Sequence, residues 1–168
     1  LERRLSITGC DSYNTYIEFL EANNSEAKVF FDSLNNTFTE FFRNPLTFSV
    51  LERNILPSLI QKKKDGKEKE IRIWSSACAS GQETYSIAML MDEVLEHTKA
   101  KMTCRIFATD INQDVLKQAK KGVYQTESMN NITLKRADSH FTKQGERYII
   151  SSQLKETIDY SHFDLLSE

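Results

Sequence analysis

No apolar run in the 168-residue sequence approaches the roughly 18 residues that a membrane-spanning helix requires, so direct membrane insertion is not expected. Neither sign of charge is in excess: 22 Lys and Arg stand against 24 Asp and Glu, a formal net charge of -2. The balance also holds locally, with 10 basic and 11 acidic residues over 1–70 and 12 and 13 over 71–168. A dedicated nucleic-acid binder would show a strongly basic domain, and none is present. Cysteine is scarce. Cys10, Cys78 and Cys104 form no CxxC and lie too far apart for a zinc knuckle. Without a signal peptide, that odd count reads as reduced thiols in a cytoplasmic chain, with no metal site. Internal repeats and low-complexity tracts are also missing. What is present is a globular composition, 39% apolar and 27% charged. About one domain's worth of chain buries enough surface to need neither metal nor disulfide. Leu1 in place of Met, and an end at Asp164-Leu165-Leu166-Ser167-Glu168 without a cap, read as a piece cut from a longer protein.

Two textures divide the chain. Residues 12–63 are aromatic-rich with helical periodicity: Tyr16, Phe19 and Leu20, then Ala27, Phe30, Phe31 and Leu34, with Ser25 placed as an N-cap. Asn44-Pro45 reads as a cap followed by proline in the first turn of another helix, whose apolar side is Phe48, Leu51, Ile55 and Leu56. Pro57 should kink or restart it. The charged run over 62–70 reads as a solvated connector. Beyond it, Ile71-Arg72-Ile73-Trp74 alternates as a strand, and a helix runs from Glu83 to near His97. Cys104–Thr109 is a second strand stopping at Asp110, and Asn112 caps a helix that ends at Gly122. Short strands are expected at Arg147–Ile150 and Thr157–Tyr160. Strand, helix, strand, helix is the pattern of an α/β chain with a parallel sheet. The implied domains are a small helical one over 1–63, a linker over 64–70 and an α/β one over 71–168.

Ligands of open α/β sheets bind beyond the carboxyl ends of the strands. Two features fall there. The small-residue stretch Ser75–Gly81 leads into a helix start with free N–H groups, and Asp110 ends the second strand. The loop holds a single glycine, so it is not GxGxxG, and no Gly-Lys-Ser/Thr follows. Dinucleotides and nucleoside triphosphates are thereby disfavoured, while an adenosyl ligand without phosphates remains. Asp110 can accept both hydroxyls of a ribose, or it merely caps the next segment. Upstream, Thr37-Phe38-Thr39-Glu40-Phe41-Phe42-Arg43 would, on a helix, set Thr39 and Arg43 on one face with Phe38, Phe41 and Phe42 as anchors. Arg43 is then either a carboxylate receptor or an ordinary surface arginine.

Thr39-Glu40-Phe41-Phe42-Arg43, Ile71-Arg72-Ile73-Trp74-Ser75, Ser80-Gly81-Gln82-Glu83-Thr84-Tyr85-Ser86-Ile87-Ala88 and Ala108-Thr109-Asp110-Ile111 follow one another in a familiar order. So do Leu116, Ala119, Gly122, Tyr124 and Asp164-Leu165-Leu166. Together they resemble the bacterial chemotaxis receptor glutamate methyltransferases of the CheR type over roughly residues 12–168. The resemblance implies an N-terminal helical domain followed by the first half of a Rossmann-like methyltransferase sheet. It also implies S-adenosylmethionine as cofactor, S-adenosylhomocysteine as product, and glutamates on the cytoplasmic domain of membrane chemoreceptors as substrate.

Carried over by position, Arg43 is the catalytic residue, and it reaches the cofactor together with Thr37 and Thr39. Glu83 meets the amino-acid end, Asp110 the ribose, and Asp164 and Leu165 the adenine. Departures are Thr37 and Asp164 where the family has asparagine, Gln82 for glutamate, and Thr84 for proline. The last should loosen the helix start, because proline would pre-set φ there. The family's further strands, its Asn-containing strand, a nearby tyrosine and a small receptor-docking β-subdomain are expected to lie outside this stretch, leaving the piece itself inactive. The alternative is a non-catalytic S-adenosylmethionine-binding signalling or adapter module, a reading that the departures favour.

Overall fold

A computed structural model describes residues 1–34 and 39–166. The chain divides into two compact units, Leu1–Thr37 and Phe38–Glu168. Among its described residues the first holds three helices: α1 (Glu2–Thr8), α2 (Tyr13–Ala22) and α3 (Asn24–Leu34). Ser12 caps α2 in a capping box with Thr15, which satisfies two otherwise orphaned backbone donors. Ser25, expected as a cap, lies inside the first turn of α3, because that helix starts one residue earlier at Asn24. Glu26 ties the unit together, accepting from Arg4 Nε at 2.9 Å and from the hydroxyl of buried Tyr16 at 2.8 Å.

The second unit opens with α4 (Pro45–Val50), proline in its first turn as expected. One π-helical stretch, Leu51–Ile55, follows, and the chain then restarts as α5 (Leu56–Asp65) at Pro57. Proline cannot donate an N–H to the helical ladder, and the helix resets its register around that gap. Lys62, Lys63 and Lys64 form the last turn of α5 rather than a connector, where positive charge suits the helix C-terminus. Leu56 and Ile60 are buried in one core with Ile71 and Met91. The helices after residue 44 therefore share the core of the sheet.

Three strands form a parallel sheet in the order β1 (Glu70–Ser76), β2 (Thr103–Asp110), β6 (Ile158–His162). Ile73 pairs with Ile106, and Ile106 with Ile158. Helix α6 (Gln82–His97) and α7 (Gln113–Lys121) are the crossovers, and both pack on β2. Asn112 caps α7 by accepting from the N–H groups of Asp114 and Val115, and Gly122 closes it in a left-handed conformation. The period of two separates the faces of the sheet. Ile71, Ser75, Ile106 and Ala108 point into the core, whereas Trp74 and Phe107 stand exposed on the other face. The same face carries Arg72 and the Arg105–Asp159 ion pair, so its exposed aromatic rings stand among charged side chains.

Between α7 and β6 the chain builds a second sheet, antiparallel, in the order β3 (Val123–Gln125), β5 (Arg147–Ile150), β4 (Phe141–Gln144), with α8 (Leu134–His140) before β4 and α9 (Ser152–Glu156) after β5. This corrects the expectation that no small β-subdomain lies within the sequence. Only β5 gave an alternating signal; β3 has three residues and β4 is mostly polar, too little to register as periodicity.

Candidate functional site

The loop from β1 to α6 takes left-handed backbone at Ala77 (φ 52°), Ala79 (φ 47°) and Gly81 (φ 89°). Two alanines in that region represent stored strain, which persists only where the surroundings enforce it. Asp110 does the enforcing. Its Oδ2 accepts the Ala79 N–H and its Oδ1 the Asn112 N–H, both at 2.8 Å, so the carboxylate ties the loop to the end of β2. Asp110 thus anchors the segment after it, and each oxygen keeps a second lone pair for a ligand hydroxyl.

At Gly81 a Cβ would stand 2.8 Å from the Tyr160 hydroxyl, 2.9 Å from Ala119 Cβ and 3.3 Å from the Tyr124 hydroxyl. Only glycine fits. Tyr124 donates to Ser80 O at 2.8 Å and Tyr85 to Ala119 O at 2.9 Å, while the buried Tyr160 hydroxyl has no partner. Burial holds Tyr85 neutral, its pKa raised to about 12, and raises those of Tyr124 and Tyr160 as well. The same cause lifts the Cys78 thiol to about 12, so Cys78 is packing rather than nucleophile.

Glu83 lies exposed in the first turn of α6, and its Oε1 accepts from Ser75 Oγ at 3.3 Å. Thr84, expected to loosen the helix start, is instead fully buried and donates to Ser75 Oγ at 3.1 Å. The substitution for proline adds a polar network where slack was expected. Gln82 is likewise held, its Oε1 accepting from Ser80 Oγ at 2.8 Å.

Residues 39–44 are not helical, contrary to the i, i+4 reading of Thr39 and Arg43. They form a turn, with Phe42 at φ 49°. Phe41 is completely buried, edge-on to Tyr124 (4.8 Å between ring centres) and to Phe141 (5.6 Å). The Phe42 N–H donates to Ser86 Oγ at 3.0 Å, and Ser86 in turn donates to Gln82 O at 2.8 Å. The turn is therefore seated on the start of α6, and Arg43 is exposed immediately after it. Thr39 is half-buried and, with Glu40, lines a shallow depression beside Glu127, Ser128, Asn130 and Asn131. Thr37 lies outside the described residues.

Asp164 and Leu165 follow β6. The Phe163 N–H donates to Asp110 O at 3.1 Å, which draws this segment to the end of β2. Asp164 is half-buried, its Oδ1 accepting from the Leu166 N–H, while Leu165 is exposed. The structure thus gathers Arg43, Glu83, Asp110 and Asp164 around the carboxyl ends of the strands and the start of α6. Sequence reasoning gave no site role to Ser75, Ser86, Tyr160 or Arg136, which the structure shows supporting these groups. A cleft of about 530 Å³ opens at the opposite end of the strands, between Met91, Cys104 and Leu154. It carries no such convergence.

The donor set discriminates among ligands. The N–H groups of Cys78, Ala79 and Gly81 are already given to Thr109 O, Asp110 and Cys78 O, so they cannot cradle a phosphate. Two carboxylates beside the loop would repel one. The same carboxylates suit ribose hydroxyls and a cationic methionyl group, which is the chemistry of S-adenosylmethionine.

Relatives carry the same segment. The protein-family model described as CheR methyltransferase, SAM binding domain, matches residues 37–168. The chain is 31% identical over 171 residues to a chemotaxis protein methyltransferase of Borreliella burgdorferi, covering all of this chain and 60% of that protein. It is 31% identical over 169 residues to the Listeria monocytogenes protein of that name, covering 99% and 62%. To the Escherichia coli protein of the same name it is 30% identical over 174 residues, covering 100% and 57%. The chain thus spans about three-fifths of the length of these relatives. It belongs to the CheR methyltransferase family and carries that family's S-adenosylmethionine-binding domain.

Proposed function

We propose that the protein to which this chain belongs is an S-adenosylmethionine-dependent protein-glutamate O-methyltransferase, acting on the cytoplasmic domains of membrane chemoreceptors. The observation that supports this most is the gathering of Asp110, Glu83 and the Arg43 turn around one strained, phosphate-excluding loop. Asp110 would hold the ribose and Glu83 the amino-acid end, with Thr39 on the side of the turn; Thr37, outside the described residues, would join them at the cofactor. Asp164 and Leu165 would line the adenine. S-adenosylmethionine, when bound, supplies an electrophilic methyl on a sulfonium sulfur.

The acceptor glutamate is already ionised at neutral pH, so no residue has to remove a proton. This agrees with a site in which Cys78 and the three tyrosines stay protonated. What remains for the protein is positioning and exclusion of water, and positioning alone supplies several kcal/mol of a barrier. Arg43 orients a carboxylate, through contacts that guide the nucleophile without gripping it so tightly as to quench it. The glutamate oxygen would form the new bond to the methyl carbon while S-adenosylmethionine would keep the electron pair of its broken carbon–sulfur bond, so no residue of this chain would have to act as a base.

Calorimetric titration of the full-length protein with S-adenosylhomocysteine, together with transfer of labelled methyl to a receptor cytoplasmic domain, tests the reading. Saturable binding, with most but not all transfer lost in Arg43→Ala, is expected; transfer unchanged in that variant would overturn the role of Arg43. Binding without any transfer would favour the adapter reading, to which the departures at Gln82, Thr84 and Asp164 point.

A further inference from the structure

We propose that Arg136 is a positioning residue for Arg43, acting through Phe42; this rests on the function proposed above. Arg136 projects from α8, 93 positions further along the chain than Arg43. It meets three other segments at once. Its Nε and Nη2 donate to the two oxygens of Glu93 on α6 at 2.9 and 2.8 Å. Nη2 lies 3.6 Å from Glu52 in the π-helical stretch that follows the turn. Its guanidinium carbon sits 4.3 Å above the centre of the Phe42 ring.

This is more than a surface ion pair. The Arg136 and Glu93 side chains are 16% and 25% exposed, so the pair is largely shielded from water. The planar fork engages a carboxylate along its edge while its face covers an aromatic ring, a combination that lysine cannot reproduce. The ring it covers belongs to the one residue of the turn with left-handed backbone. A phenylalanine relaxes from φ 49° to negative φ unless it is held there, and such a relaxation would swing the following residue, Arg43, in a new direction. Phe42 is held from three sides: Ser86 on its N–H, the edge of Phe48 at 5.1 Å, and Arg136 on the face of its ring. Of these, Arg136 alone comes from the segment that carries the antiparallel sheet. The inserted segment thereby reaches both parts of the site, through Tyr124 to the loop and through Arg136 to the turn.

The test is a double-mutant cycle in the full-length protein, Arg136→Lys against Arg43→Ala, read as kcat and as KM for S-adenosylmethionine, with melting temperature as control. Arg136→Lys should lower kcat by about ten- to a hundred-fold, the scale of a small misplacement at a reacting centre, while leaving KM nearly unchanged. In the Arg43→Ala background the same substitution should cost nothing further, because the residue it serves is gone. Equal losses in both backgrounds, or no loss with Arg43 present, would overturn the proposal while leaving the methyltransferase reading intact. A wild-type protein that neither binds S-adenosylhomocysteine nor transfers methyl would overturn that reading and this inference with it.

Discussion

Between β1 and α6 the chain passes through left-handed backbone at Ala77, Ala79 and Gly81; before α4 it does so at Phe42. The loop around Gly81 is held mainly by polar contacts to the chain's own backbone. Asp110 clasps the Ala79 and Asn112 N–H groups, Tyr124 the Ser80 carbonyl, and Thr109 O accepts from Cys78. The turn around Phe42 is held mainly by side-chain bulk and charge, Phe41 in an aromatic pocket and Phe42 under Arg136, together with the Phe42 N–H bond to Ser86. For the function proposed above, with a constant cofactor on one side and a moving protein substrate on the other, this division would be an advantage. The loop keeps a fixed shape, whereas the turn can be tuned by residues that touch neither ligand.

The sharpest way to break the comparison is at Phe41. Its ring is fully buried, and truncation to alanine should cost about 3–5 kcal/mol of stability, the range for emptying a buried phenylalanine site. Urea unfolding would measure it. A loss below 1 kcal/mol would mean that the turn does not depend on that packing. Gly81→Ala attacks the loop instead. The added methyl meets Tyr160, Ala119 and Tyr124 at a φ that alanine disfavours, so the expected cost is about 2–4 kcal/mol. S-adenosylhomocysteine affinity should fall with it, whereas in Phe41→Ala the loop should still bind.

Asp110→Asn is smaller and more discriminating. The amide keeps one acceptor but turns an N–H toward a backbone donor that the carboxylate had satisfied, at about 1–3 kcal/mol. If Asp110 also holds the ribose, calorimetry on folded protein should show a drop in affinity beyond what the stability loss explains. Affinity unchanged at a lowered melting temperature would leave Asp110 as an anchor of the loop alone.

How much of this the sequence disclosed follows the same division. The loop was legible because its parts are local. A strand, one glycine, a helix start and an acid at the next strand end are read from composition and period, and the structure places them together. Asn112 and Gly122 were legible for the same reason, since caps are local chemistry. The turn was not. Thr39 and Arg43 are spaced as on a helix, and nothing nearby signals that Phe42 is held at positive φ by Ser86 and Arg136, residues 44 and 94 positions away. The antiparallel sheet escaped notice because short polar strands owe their pairing to tertiary context rather than to alternation. Thr84 shows a further limit. The residue type predicted slack at the helix start, and only the position of Ser75 on the neighbouring strand end reveals a hydrogen bond instead.

The gentlest probe of the comparison is acid. Burial alone would raise the pKa of Glu93, but His140 and Arg136 beside it outweigh burial and bring it down to about 2, from an ordinary 4.5. A carboxylate with a lowered folded-state value contributes stability that is complete above its unfolded value and disappears as pH falls through the folded one. The contribution should therefore be present at pH 6 and erode between about pH 4.5 and 2. Glu93→Gln removes it at every pH, so wild type and variant should differ in urea midpoint at pH 6 and converge by pH 2. Glu93 is partly open to solvent, so the difference should be smaller than that of the substitutions above. A constant difference across the range would mean that the ionised state of Glu93 is not what holds Arg136, and the turn would then rest on packing alone.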